Sequence, residues 1–243
     1  MGVRSVTAPD QLSLDLGGAL PGPLLPRRIP LMAPGRGDGP FDDEGWFFEP
    51  WWPGSPALAR VEDGRLRLVM DHLADPTPAF PELAILPSQL RGGVDGLAIA
   101  GTLLVLDTEG RPDPELLRAR LADPGRRVGT GAFVASDLVW VDGVSLAAWP
   151  FAQRRARLLE TLADGDRAMA GRGLRGEGST LAEAVASMGL HELAARRLSA
   201  RWTSGPGGDA FLRLPILAPA APETRPLLVL LRRLPLDEDL PAD

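Results

Sequence analysis

Apolar positions along this chain come in short runs with two periods, alternating ones that predict strands and three-to-four spacings that predict helices. Residues 46–49, 57–62 and 65–70 read as strands. The pair in ALARVEDGRLRLVM meets at Glu62-Asp63-Gly64, a hairpin signal. PELAILPSQL after Phe80 predicts a short helix. Residues 97–112 predict a strand leaving through a Gly-containing turn, and 114–121 a helix. GAFVASDLVWVDG, residues 131–143, predicts a strongly apolar strand ending in an Asp-Gly turn. Residues 151–162, FAQRRARLLETL, predict an amphipathic helix with Arg154, Arg155 and Arg157 mainly on its wet side. A helix over 179–188 is expected to open with a capping box, Thr180 with Glu183. ELAARRL, DAFLRLPIL and PLLVLLRRL predict three further strands. Strands and helices interleave irregularly and with hairpins. The expected class is therefore α+β, mostly antiparallel sheets flanked by helices, rather than a doubly wound parallel sheet. No internal repeat is visible.

Pro and Gly crowd residues 1–45, a composition that resists helix and sheet. The expected organisation is a flexible Pro/Gly-rich arm over 1–28, a main domain over 29–215, and a strand with an acidic tail over 216–243. A chain of 243 residues with 44% apolar content has ample material for a core. The first residues lack a basic segment followed by an apolar stretch, and no apolar run reaches the ~18–20 residues that cross a bilayer. A cytoplasmic protein without membrane partners is the expectation.

Composition removes several chemistries. Cysteine is absent, so thiolate metal sites, disulfides and thiol catalysis are excluded. All 26 basic Lys/Arg residues are arginine, and tyrosine and asparagine are missing too, as the codon use of a GC-rich genome would produce. No step that needs a lysine amine can occur on this chain. The net charge of −6 is uneven: 13 arginines face 20 acids over 1–150, ten face seven over 151–215, and three face five over 216–243. Nucleic-acid binding is permitted by that middle-to-late segment but not signalled by it.

The stretch WFFEPWWPGSPALARV holds the candidate chemistry. It and six other pieces, in order, resemble the adenylation (nucleotidyltransferase) domain of ATP-dependent DNA ligases, especially the bacterial end-joining type, over about 29–215. IPLMAP is similar to the Pro-Met-Leu-Ala lead-in. EPWWPG falls on the Lys-x-Asp-Gly motif and PTPAFPEL on Thr-x-x-Phe-Pro-Glu-Leu. AGTLLVLDTEGRP falls on the Asp-Gly-Glu strand, and SDLVWVDGVSLAAWPFAQRRARLLETL on the Phe-Asp-Leu strand with its helix. GLHELAARRLSARW and DAFLRLP fall on the two late lysine motifs.

In that family a lysine amine attacks the α-phosphate of ATP, and the lysyl-AMP then passes AMP to a DNA 5′-phosphate. Trp51 stands at the nucleophile position, and an indole has no usable lone pair; a neighbouring arginine stays protonated and cannot substitute. Pro53 replaces the motif Asp, Pro56 the arginine expected on ribose or phosphate, and Val69 and Met70 stand near a Ser-Arg pair. Thr102 replaces a carboxylate, His191 the glutamate expected near the metal, Arg196 and Arg213 two lysines, and Pro215 a third. Glu49, Gly54, Gly101, Asp137 and Gly143 are retained. No catalytic residue is intact by this comparison, and no metal ligand set is expected. The candidate cleft is Glu49, Trp51, Gly54, Thr102, Asp137, His191, Arg196 and Arg213, with ATP and Mg implied by the resemblance alone. The 28 residues after Pro215 hold one strand-like run, short of a complete OB-fold.

Each signal has a plainer reading. Trp51 and Trp52 are adjacent and face opposite sides on a strand, so one fills the former cleft or stacks a base, or both bury area in the core or under the arm. His72 and His191 are far apart. Arg196, Arg197, Arg201 and Arg213 form a candidate anion site, the alternative being solvated or ion-paired surface. RGLRGEGST lacks the lysine of a phosphate-binding loop, and no Gly-x-Ser-x-Gly is present. The leading reading is a ligase-like framework without lysyl-AMP chemistry, a binding or scaffold module for a protein partner or a nucleic-acid end, linked to DNA repair. The alternatives are a nucleotide-binding protein with altered nucleotidyl or phosphoryl transfer, and a ligase-like subunit active only with a partner.

Overall fold

Asp63 and Gly64 take up positive φ, 51° and 66°, as a two-residue type I′ connection requires. They join strands β4 (Ser55–Glu62) and β5 (Arg65–Val69) in register, Glu62 opposite Arg65 and Leu58 opposite Val69. This hairpin begins the larger sheet of the protein. The computed structural model describes residues 24–94, 96–216, 226, 229, 232 and 234. Within them β1 (Met32–Ala33), β2 (Gly35–Arg36) and β3 (Asp42–Pro50) precede the hairpin. After it come β6 (Leu97–Leu106), α1 (Pro114–Ala122), β7 (Thr130–Val141), β8 (Val144–Ser145) and α2 (Phe151–Thr161). The chain continues through β9 (Ala168–Ala170), β10 (Leu174–Glu177), α3 (Gly178–Ser187), β11 (Glu192–Arg197), β12 (Gly205–Pro206) and β13 (Phe211–Pro215).

The larger sheet runs β5-β4-β6-β7-β8, antiparallel throughout, with β9 added parallel to β7. A second sheet runs β10-β3-β11-β13-β2, antiparallel except for its last pair. β1 and β12 form a small parallel ladder. These are open sheets, with no closed barrel among the described residues. The α+β class and its mostly antiparallel pairing are therefore as the hydrophobic patterning implied.

One face of the larger sheet carries Ala57, Ala59, Val61, Leu97, Ile99 and Phe133, and is covered by Phe80, by Leu83 and Leu86 of the 3-10 helix Pro81–Gln89 that follows it, and by Leu117 of α1 and Leu158 of α2. On the second sheet, β3 sorts its residues by the two-residue period of a strand. Trp46 and Phe48 pack with Leu181 and Val185 of α3, while Phe47 turns the other way onto Phe151 and Leu198. Among the described residues no helix is long and apolar enough to cross a membrane.

The short helix expected after Phe80 is present as a 3-10 helix, Pro81–Gln89, with Pro87 inside it and unable to donate. Two local expectations need correction. The capping box does not form: α3 starts at Gly178 after Glu177 with no side-chain cap, and the Ser179 amide is satisfied by Asp42 Oδ1 at 2.8 Å. A cross-strand carboxylate takes the place of the local cap. Most consequentially, Arg154 and Arg155 are 1% and 0% exposed, so two of the three arginines assigned to the wet side of α2 are core residues. The strand expected from PLLVLLRRL lies outside the described residues except at 226, 229, 232 and 234, as does the arm up to 23.

Gly101 sits where β6 and β7 change register. A Cβ there would stand 2.3 Å from the Val134 carbonyl oxygen and 2.7 Å from the Phe133 ring, a backbone contact with nowhere to go. Gly101→Ala is expected to lower stability in urea unfolding by about 1–3 kcal/mol, the cost of overpacking a core.

Candidate functional site

The alternation of β3 carries Phe47 and Glu49, with Trp51 just past its end, into the seam between the two sheets, and the site is built from there. Glu49 is 4% exposed and accepts from Arg196 Nε of the neighbouring strand β11 at 3.2 Å. Arg196 also reaches Ser136 Oγ at 3.4 Å and lies 4.0 Å from Asp137 Oδ2, both on β7 of the other sheet. Asp137 is fully buried and takes a two-pronged bond from Arg154, 2.9 Å from Nε and 2.7 Å from Nη2. Arg154 Nη1 spends its hydrogens on the carbonyls of Trp149 and Ala200, at 2.6 and 3.0 Å. Beside it Arg155 donates to the Gly171 carbonyl. Two carboxylates, Glu49 and Asp137, and two guanidiniums, Arg154 and Arg196, thus form one buried, connected set, with Arg155 beside it.

Aromatic rings continue the set. The Arg196 guanidinium lies 3.8 Å from the Phe211 ring centroid and 5.5 Å from that of Phe151. Arg155 stands over Phe47 at 5.2 Å. Phe211 is 6.4 Å from Trp51, and Arg213 covers the Trp51 ring at 4.9 Å while donating to Glu192. Stacked guanidiniums of this kind gain roughly 0.5–2 kcal/mol each, most where water is excluded.

Toward Trp51 the seam turns apolar. Trp51 packs with Met32, Leu58, Ala100, Val139, Ala194, Trp202 and Phe211, drawn from both sheets and the lead-in strand. Trp52, 4% exposed, belongs instead to the cluster under α3, although both tryptophans lie past the end of β3. Gly54 follows because β6 leaves no room: a Cβ would fall 2.4 Å from the Leu103 carbonyl oxygen and 2.7 Å from Thr102 Cγ2.

The structure therefore gathers most of the residues singled out from sequence. Glu49, Asp137 and Arg196 are bonded together; Trp51 and Arg213 are stacked; Gly54 and Thr102 touch. His191 is exposed at the entrance to β11 and lies outside this set. The proposed anion site of Arg196, Arg197, Arg201 and Arg213 does not assemble. Arg196 and Arg197 are adjacent on β11 and face opposite sides; Arg197 covers Trp46, Arg213 holds Glu192, and Arg201 is exposed. Among the described residues no three His, Asp or Glu side chains converge to hold a metal ion.

Sequence reading missed Arg154, Arg155, Phe151 and Phe211. The first three had a signal: Phe151, Arg154, Arg155, Leu158 and Leu162 recur at helical spacing, a single stripe in which charge was allowed to outweigh phase.

Two sheets meeting at a seam, with this strand order, constitute the nucleotidyltransferase fold of ATP-dependent DNA ligases. The form is that of the LigD ligase domain: the mycobacterial DNA ligase D solved with ATP and MES superposes with a TM-score of 0.64 at 23% identity, over 76% of this chain and 59% of that one. In sequence the chain is similar to the multifunctional non-homologous end joining DNA repair protein LigD of Mycobacterium tuberculosis, 30% identical over 160 residues, 66% of this chain and 20% of that protein. LigD of Pseudomonas aeruginosa is 30% identical over 199 residues, 79% of this chain and 22% of its own length. The chain thus spans about a fifth of the length of these relatives. No protein-family model matches it.

Removing one partner of a buried pair strands the other charge. Asp137→Ala is expected to cost about 3–5 kcal/mol in denaturant unfolding, since Arg154 has no route to water. Asp137→Leu combined with Arg154→Met should recover most of that loss, and a double variant as unstable as the single one would refute the assignment of the cost to stranded charge.

Proposed function

We propose that this chain is a ligase-fold framework that does not form lysyl-AMP and serves as a binding or scaffold module in DNA repair, its partner a DNA end or a repair protein. The observation that carries the reading is Trp51. At the position where the resemblance implies a nucleophilic lysine, an indole is wedged between Phe211 and Arg213 and packed into an apolar cluster. No other side chain on the chain can replace that amine, because there is no lysine anywhere in it.

The surrounding groups do not fit ATP with Mg either. Arg196, the cation best placed for a phosphate, is committed to Glu49 and Ser136 and 8% exposed. Exchanging its carboxylate for a phosphate would leave Glu49 buried and stripped of this partner, a loss of several kcal/mol that the new contact must first offset. A noncovalent nucleotide site is the second reading; what favours it is Arg213, whose side chain is 39% exposed with Glu192 beside it. The link to DNA repair rests on the LigD relatives, which are named for non-homologous end joining.

Incubation with α-labelled ATP and Mg is expected to leave no acid-stable label on the protein, and nicked duplex is expected to stay unsealed. Titration calorimetry with ATP should give no heat and no thermal shift. Any covalent adenylate would overturn the proposal, and micromolar nucleotide binding without an adduct, roughly −8 kcal/mol, would favour the second reading instead.

A further inference from the structure

The lead-in segment over residues 25–33 crosses the seam on the side of Trp51 and contributes to the clusters that fill it. Leu25 and Ile29 pack on Ala98 and Trp140 of the larger sheet. Ile29, Leu31 and Met32 pack with Leu58, Val69, Ala100, Val139, Trp51 and Phe211. The anchors face inward at positions 25, 29 and 32, while Leu24 is 86% exposed and Arg27 and Arg28 are exposed.

What holds this segment is sparse and local. Arg60, on the seam face of β4 and 7% exposed, donates from Nη1 to the carbonyls of Pro26 and Arg27, at 2.7 and 2.8 Å, and pairs with Glu62 at 3.2 Å. At the other end the Gly205 and Gly207 amides bond the carbonyls of Leu31 and Ala33, 3.0 and 2.6 Å, in a ladder only two residues long. Pro26, Pro30 and Pro34 have no amide hydrogen, so the segment cannot extend that ladder or join a large sheet. A stretch with apolar anchors and so few backbone bonds opens at a lower free energy than the sheets beneath it.

We infer that residues 25–33 form a releasable strap: an internal occupant of a peptide groove whose floor is Leu58, Val69, Ala100, Val139 and Phe211 and whose anchoring cation is Arg60. The strap defines the ligand class, an extended, proline-containing segment with apolar anchors at the first, fifth and eighth positions and two backbone carbonyls for Arg60. Opening exposes the groove and closing hides it, which makes the strap an autoinhibitory contact. This does not depend on the absence of adenylate transfer; a covalent AMP adduct would remove the function proposed above and leave the strap untouched.

The test uses the full chain. Ile29→Asp places a carboxylate among the clusters and should expel the strap while circular dichroism stays native. The variant is expected to gain one site for 1-anilinonaphthalene-8-sulfonate, and a synthetic LLPRRIPLMA peptide, residues 24–33, should displace the dye. Arg60→Ala, read by hydrogen-exchange mass spectrometry, should speed exchange at Gly205 and Gly207, whose amides donate to the strap, about tenfold, with β6 and β7 unchanged. A folded Ile29→Asp protein that binds neither dye nor peptide overturns the inference. If that variant does not fold, Arg60→Ala decides: exchange at Gly205 and Gly207 that is unchanged, or that rises only together with β6 and β7, overturns it equally.

Discussion

Asp137 has no exposed surface, and a charge buried there without a partner would be costly. It is held by both prongs of Arg154, and through Arg196 the charge passes to Glu49 on the opposite sheet. The geometry of this set has consequences well beyond its own bonds. A two-pronged guanidinium fixes the rotation of α2 about its axis. That rotation brings Phe151 against Phe47 and under Arg196, and the Arg154 bond to the Ala200 carbonyl ties down the chain leaving β11. The two sheets therefore meet at one relative position rather than sliding on an apolar seam. Such a set is a poor source of stability against a hydrophobic alternative, and its stronger effect is to specify which surfaces face each other.

With the sheets placed, alternation along β3 distributes its residues without further instruction. Glu49 meets the charges, Phe47 the helix, and Trp51 the apolar end of the seam. The consequence for chemistry is a gradient along one wall, from guanidinium and carboxylate at the α2 end to indole and aliphatic side chains at the β1 end. Polar groups in the first part are bonded to one another, and the second part offers aromatic faces already covered by Phe211, Arg213 and the lead-in segment. That commitment of Glu49, Asp137 and Arg196 to one another is what supports the non-catalytic reading proposed above.

Much of this was legible in the sequence. The hairpin at Asp63-Gly64, the long strands β6 and β7, and α1 and α2 all followed from periodicity and turn residues, and the ordered motifs pointed to the fold found. Glu49, Asp137 and Arg196 could be picked out as members of one site because the resemblance aligned them. What was not legible was who bonds whom. Burial of Arg154 and Arg155 depends on Asp137 and the Gly171 carbonyl, 17 and 16 residues away in sequence, and an arginine's usual exposure argues against it. The cap of α3 failed as a local signal for the same reason, since Asp42, 137 residues distant, supplied the acceptor. Four arginines close in sequence looked like one anion site, but strand alternation and separate acids and rings dispersed them.

Retained and altered positions divide by what the fold asks of them. Gly54 and Gly101 are held by backbone oxygens that a methyl group would strike, and Asp137 is tied to a buried guanidinium, so packing by itself is enough to account for these positions. Trp51, Pro53 and Pro56 sit where the resemblance implies nucleotide contacts, and no structural demand required a lysine, an aspartate or an arginine there. Nor would one substitution reverse the change. A lysine at 51 would carry its ammonium into a cluster of Met32, Leu58, Val139 and Phe211, beside the Arg213 guanidinium that now covers the indole. Desolvation and like charge would both oppose its protonated form, and Arg196 would still belong to Glu49. On the proposed reading, the apolar seam drawn from both sheets would have to change together before an amine there could meet a phosphate.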